Sequence, residues 1–201
     1  MTGLALAGGG PLGGIYEVGA LAALDEAIAG FQLVDSDIFV GVSSGSLLAA
    51  ALANGIAPAQ LAHMLVENDA EEVFDPEMLL RPAFGEYCAR ALALPPLVWS
   101  ALLHYLSNPW QYGLFESFQR LSQAIPTGVF DNRGIDRILR KLFSSQGRTN
   151  DFRQLKHRLF LVATDLDSGA AILFQRGDTG AAVRASSAVP AVFQPVRIGS
   201  R

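Results

Sequence analysis

The chain has 201 residues, half of them hydrophobic before its 20 glycines are counted, and its 15 basic and 19 acidic side chains give a net charge of -4. That length and apolar content imply one well-buried domain over residues 1–201 and leave too little chain for two of ordinary size. The small, mixed charge lacks the footprint of a nucleic-acid binder, and the single cysteine, Cys88, excludes an internal disulfide and a paired-thiolate zinc site, so its expected role is core packing.

The first unit is apolar Leu4 to Ala7, then Gly8 to Gly14, then Val18, Leu21, Leu24 and Ile28 at helical spacing. It predicts a strand, a glycine-rich turn and a helix closed by Gly30. No basic stretch followed by a long apolar segment opens the chain, so no secretory signal is expected, and the expected location is cytoplasmic or peripheral at a membrane. A second unit follows, with "DIFV" as a short buried strand, "GVSSGS" as a turn, and "LLAAALANG" as a helix stopped by Asn54 and Gly55. Two consecutive strand-turn-helix units predict an α/β fold around a mostly parallel sheet flanked by helices.

Pro58 suits a first helical position and opens a helix through about Glu67. Residues 71–112 then carry scattered prolines among aromatic and aliphatic residues without a clean period, which predicts an apolar insertion or cap. Within it "ARALALPPLVWSALLHYL" approaches the ~20 apolar residues of a membrane span. Arg90, His104 and the Pro95-Pro96 pair argue for a buried cap instead, with weak interfacial contact expected through Leu92 to Leu106. Order returns at "DNRGIDRILRKLF", whose Ile135, Ile138, Leu139, Leu142 and Phe143 share one helix face. The strand "RLFLVAT", the turn "DLDSG" and the strand "AAILFQ" form a hairpin pattern, and "AAVRASSAV" is a short helix before Pro190.

The segment "GVSSGS" fits G-x-S-x-G, with Gly41, Ser43 and Gly45 in the fixed positions, between a predicted strand and a small-residue helix. A nucleophile elbow requires that context, and it makes Ser43 the candidate nucleophile and the Ser44 amide a candidate oxyanion donor. The plainer alternative is that Ser43, Ser44 and Ser46 cap the helix. A serine needs a base, and neither His63, His104 nor His157 has a compelling setting; a hydrolase triad would need His157 and an acid such as Asp131. The glycine-rich turn has two readings. Gly8, Gly10 and Gly13 satisfy G-x-G-x-x-G, with Asp35 or Asp37 near the spacing of a ribose-binding acid, as in a nucleotide-binding Rossmann-like domain. Alternatively, the same amides face the oxyanion formed when Ser43 attacks an ester carbonyl, a reading that uses both turns at once and is the one favoured.

In "GGGPLGGIYEVGAL", "VGVSSGSLLAA", "LVATDLDSG" and "AVRASSAVPAVFQPV", taken in that order, the chain resembles the patatin-like phospholipase family. The resemblance implies a three-layer α/β fold and hydrolysis of lipid or other acyl esters by a Ser-Asp dyad without histidine, metal or cofactor. It implies Ser43 as nucleophile, Gly8, Gly9, Gly10 and Gly13 as the oxyanion turn, and a structural role for Asp165. Two departures stand out. Leu12 replaces a basic residue of the family's turn, and no D-G-G or D-G-A motif, which holds the dyad aspartate, follows "AVPAVFQPVRI". The dyad aspartate is therefore expected beyond Arg201, the chain as given is expected to be nearly inert, and a non-catalytic lipid-binding domain is the remaining alternative.

Overall fold

The computed structural model describes residues 1–66, 128–130 and 139–199. Its elements are β1 (Gly3–Leu6), α1 (Gly10–Ala27), β2 (Ile38–Val42), α2 (Ser44–Ala53), α3 (Pro58–Val66), β3 (Gly128–Phe130), β4 (Arg158–Thr164), β5 (Ala171–Phe174), α4 (Thr179–Ser187) and β6 (Ala191–Phe193). The expected insertion at 71–112, His104 and Asp131 lie outside the described residues, as do Ile135 and Ile138.

The main sheet has the order β1-β2-β4-β5. Its first three strands are parallel, with Leu6 opposite Gly41 and Val42 opposite Val162, and β5 returns antiparallel to β4. This is the mostly parallel sheet with flanking helices that the two strand-turn-helix units and the hairpin pattern predict. Consecutive β-α units place parallel strands side by side, and a connection of only six residues, Asp165 to Ala170, leaves the last strand no room to cross over.

Side-chain alternation decides where the core lies. On one face Phe39, Gly41, Leu159, Leu161 and Ala163 are buried, whereas Ile38, Val40, Phe160 and Val162 on the other are half-buried. The buried face carries α2, which packs on β1, β2 and β4, with α4 against β4 and α2. Helix α2 is buried from Leu48 through Ala53, and its run of alanines gives little side-chain thickness between helix and sheet. Close approach of that kind gains dispersion contacts along the whole helix but requires small residues opposite. Asn54 ends α2, and its Oδ1 accepts the Thr149 amide at 2.8 Å, tying the helix end to the chain that enters β4.

Several boundaries differ from the sequence expectation. Strand β2 runs through Val42, so Gly41 belongs to the ladder rather than to the turn, and α2 begins at Ser44. Helix α1 begins at Gly10, so Gly10 to Gly14 are helical although glycine is a poor helix former. Pro11 explains this in part, because its fixed φ suits a first turn and its missing amide has no helical partner to lose. Residues 139–143 are helical, with Leu139, Leu142 and Phe143 buried on the predicted face. Two short strands had no clear sequence signal: β3 pairs with β6 in a second, parallel sheet. Among the described residues, no helix is long and apolar enough to cross a membrane.

Candidate active site

The parallel strands β1 and β2 end together, and both candidate turns leave from that edge. The strand-to-helix turn after β2 has a backbone that only special residues allow. Ser43 has φ 53° and ψ −122°, and it is the only non-glycine at positive φ among the described residues. Such a conformation costs on the order of 1–3 kcal/mol and persists only where the surroundings enforce it. Ser43 also stands at the N-cap of α2, yet its hydroxyl makes no capping bond. A serine in the preferred capping position that leaves its oxygen unused by the helix speaks against the plain capping alternative.

The flanking glycines are required by contact rather than by φ. A Cβ on Gly41 would lie 2.5 Å from the Gly45 carbonyl oxygen and 2.6 Å from Ser46 Cα. One on Gly45 would lie 2.5 Å from the carbonyl oxygens of both Leu6 and Ala7. Helix α2 thus rests directly on the ends of β1 and β2, which brings the glycine-rich turn against the serine. A Cβ on Gly8 would be 3.0 Å from Ser43 Cβ and 3.8 Å from its Oγ.

The two turns are also bonded to each other. The Gly9 amide donates to Ser44 Oγ at 3.0 Å, so the hydroxyl beside the candidate nucleophile already occupies one amide of the expected oxyanion turn. Gly10 has φ +63° at the head of α1, and Gly13 donates its amide to the Gly9 carbonyl at 3.1 Å. Gly13 therefore spends its donor inside the helix, and it is Gly9 that must lack a side chain, because a Cβ there would lie 2.8 Å from Gly13 Cα. Behind the turn, Glu17 of α1 accepts the Ala7 amide through Oε1 at 2.9 Å, while its Oε2 is buried without a partner among the described residues. Burial pushes the Glu17 carboxyl above the usual value, partly opposed by the Ala7 amide.

The sign of that shift has a measurable consequence. A carboxyl raised in the folded state favours folding fully only while protonated, and the advantage is lost as pH rises through the folded-state value. Glu17→Gln, which keeps an acceptor for Ala7, is expected to be more stable than the parent at about pH 7 and equal to it at about pH 3. Denaturant midpoints at the two pH values check this; equal midpoints at both would mean that burial of the Glu17 carboxylate costs no stability.

On the other side, the elbow is braced by α4. The Ser43 amide donates to Ser186 Oγ at 2.7 Å, and that hydroxyl donates onward to the Val162 carbonyl at 2.6 Å. Ser187 Oγ donates to the Ser43 carbonyl at 3.2 Å, which also accepts from the amide and hydroxyl of Ser46. The sequence gives these two serines no distinguishing mark beyond their place in "AVRASSAV", since no periodicity pairs residues 143 positions apart.

Other candidates fall away from this edge. His157 precedes β4 at the opposite end of the strands, roughly 20 Å along them from the elbow, and packs edge-on against Phe39 with ring centroids 6.0 Å apart. Asp35 and Asp37 precede β2, and Asp37 is held by the Thr2 amide at 2.6 Å at that same far end. A ribose-binding acid belongs beside the glycine turn, so the nucleotide-binding reading loses its acidic residue. Asp165 follows β4, and its Oδ1 accepts the amides of Asp167 and Ser168, both at 3.0 Å. It fixes the β4–β5 corner, the structural role the sequence suggests.

The sequence model of one family, described as patatin-like phospholipase, matches residues 4–201. Among solved structures, VipD from Legionella pneumophila is similar at 17% identity and a TM-score of 0.49, over 98% of this chain and 44% of that one. The type III effector protein ExoU is similar at 20% identity and a TM-score of 0.47, over 92% of this chain and 40% of that one. The chain thus spans less than half the length of either. No curated protein matches it.

Proposed function

Because the chain belongs to the patatin-like phospholipase family, we propose that it is a serine acyl hydrolase acting on lipid or other fatty-acyl esters through an acyl-enzyme on Ser43. The observation that carries the proposal is the strained, non-capping Ser43 in contact with the glycine-rich turn. Its Oγ attacks the ester carbonyl, an oxyanion forms, and collapse expels the alcohol to leave an acyl-serine that water then hydrolyses. Backbone amides fixed in place before reaction stabilise that oxyanion without reorganising. Gly8, Gly9 and Gly10 supply the turn, the Ser44 amide at the head of α2 adds a donor, and Gly9 exchanges its bond to Ser44 Oγ for one to the oxyanion.

The proton from Ser43 goes, in this reading, to the aspartate that the family carries in a D-G-G or D-G-A motif after the segment resembling "AVPAVFQPVRI". Neither metal nor cofactor takes part. Leu12, exposed on the first turn of α1, stands where the family's turn carries a basic residue, so the turn lacks a charge that would favour anionic head groups.

A fluorophosphonate probe tests the core of the proposal in the intact protein. Labelling that disappears in Ser43→Ala, with release of fatty acid from a neutral ester substrate, is the expected result. Tight NAD binding without labelling would return the glycine turn to a nucleotide, and lipid binding without labelling would make the domain a non-catalytic lipid binder.

A further inference from the structure

We propose that Ser186 is a positioning residue for the nucleophile, holding Ser43 in its strained conformation through the Ser43 amide; the inference rests on the reading of Ser43 as nucleophile. At the elbow the chain turns so sharply that the Ser43 amide points away from the α2 ladder, and the acceptor it meets is Ser186 Oγ at 2.7 Å. That hydroxyl has a single proton, and the 2.6 Å bond to the Val162 carbonyl commits it to β4. Its lone pair is thereby aimed at Ser43, and the elbow is anchored to the neighbouring strand rather than to a mobile side chain.

Ser187 looks equivalent but is not. The Ser43 carbonyl that it bonds has two further donors, the Ser46 amide at 2.9 Å and the Ser46 hydroxyl, whereas among the described residues the amide has Ser186 Oγ alone. Removing one donor of three leaves an acceptor satisfied, while removing a lone acceptor leaves a partly buried amide unpaired. The unpaired amide is best satisfied by rotating the elbow toward ordinary backbone angles, which swings Oγ away from the oxyanion turn. Displacements of about 1 Å at a reacting atom reduce rates by about 100-fold.

The test is the rate of fluorophosphonate labelling in the intact protein, alongside thermal midpoints and the hydrogen-exchange protection of the Ser43 amide. Parent protein labelled at Ser43, and Ser43→Ala unlabelled, establish the nucleophile first; failure at that stage overturns the functional reading and leaves the exchange data to judge the brace. Ser186→Ala is expected to label about 10–100 times more slowly with KM for ester substrate little changed, and to lose protection at the Ser43 amide while α2 stays protected. Ser187→Ala is expected to stay within about threefold of the parent, and Ser186→Thr, which restores a hydroxyl, to recover most of the rate. Should Ser186→Ala fail to fold, Ser186→Cys, a weaker and longer hydrogen-bonding group, takes its place with the same expected order. Equal losses in the Ser186 and Ser187 variants, or an undiminished rate when Ser186 cannot hydrogen bond, would overturn the proposal.

Discussion

Gly41→Ala and Gly45→Ala are each expected to destabilise the protein by at least about 3 kcal/mol, and to abolish labelling of Ser43, whereas Gly13→Ala should fold as well as the parent. The contrast follows from what each new methyl group would meet. At Gly41 and Gly45 the neighbours are backbone atoms at 2.5–2.6 Å, belonging to α2 in one case and to the end of β1 in the other. Backbone cannot rotate aside as a side chain can, so α2 must lift off the sheet and the contacts along its buried alanines are lost with it. At Gly13 a Cβ meets nothing within 4 Å, and its helical position gains up to about 1 kcal/mol from alanine. Denaturant midpoints for the three variants measure the effect. An unchanged midpoint for Gly45→Ala would mean that the packing of α2 on β1 is looser than its 2.5 Å clearance implies.

Ser43→Gly is expected to remove hydrolysis by a factor of about 10⁴–10⁶, and at the same time to raise stability by about 1 kcal/mol. Loss of the nucleophile explains the first effect. The second follows because glycine occupies φ 53° and ψ −122° without the clash a Cβ suffers there, and because Ser43 donates no cap whose loss would count against the change. Ser43→Ala, which keeps the Cβ, should lose activity equally and gain much less stability. Thermal midpoints of the two variants separate relief of backbone strain from removal of the hydroxyl; identical midpoints would show that the conformation carries no strain.

Much of this arrangement is legible in the sequence because it is local. Strand, glycine turn and helix occur twice within the first 54 residues, and each piece announces itself through an apolar run, a cluster of small residues or a stop such as Asn54-Gly55. The G-x-S-x-G spacing identifies Ser43 because the packing at Gly41 and Gly45 involves neighbours only a few residues away along α2, or one strand across. The roles within the glycine-rich turn are less visible. Motif spacing treats Gly8, Gly10 and Gly13 alike, yet Gly8 faces Ser43, Gly10 adopts positive φ, and Gly13 gives its amide to Gly9. Spacing carries no information about which amides remain free, and the bond from Gly9 to Ser44 Oγ depends on how two turns meet in space.

What the sequence hides most completely is the brace from α4. Serines near the end of a short helix are unremarkable, and their significance appears only when β4 places Val162 beside Val42 and α4 lays Ser186 across both. The short strands β3 and β6 were hidden for a related reason. Three-residue strands have no room for a period-two pattern, so only their pairing defines them.

The bond between Ser43 and Ser186 spans 143 positions of chain, which sets an order of events during synthesis. At ~5–20 residues per second, about 7–30 s separate the emergence of the serine from that of its brace. Over that interval the first two strand-turn-helix units can pair, but the acceptor for the Ser43 amide has not yet been made. The braced geometry at Ser43 is therefore completed only after the chain has been built through α4, so that the reactivity proposed for that serine is absent from shorter nascent chains.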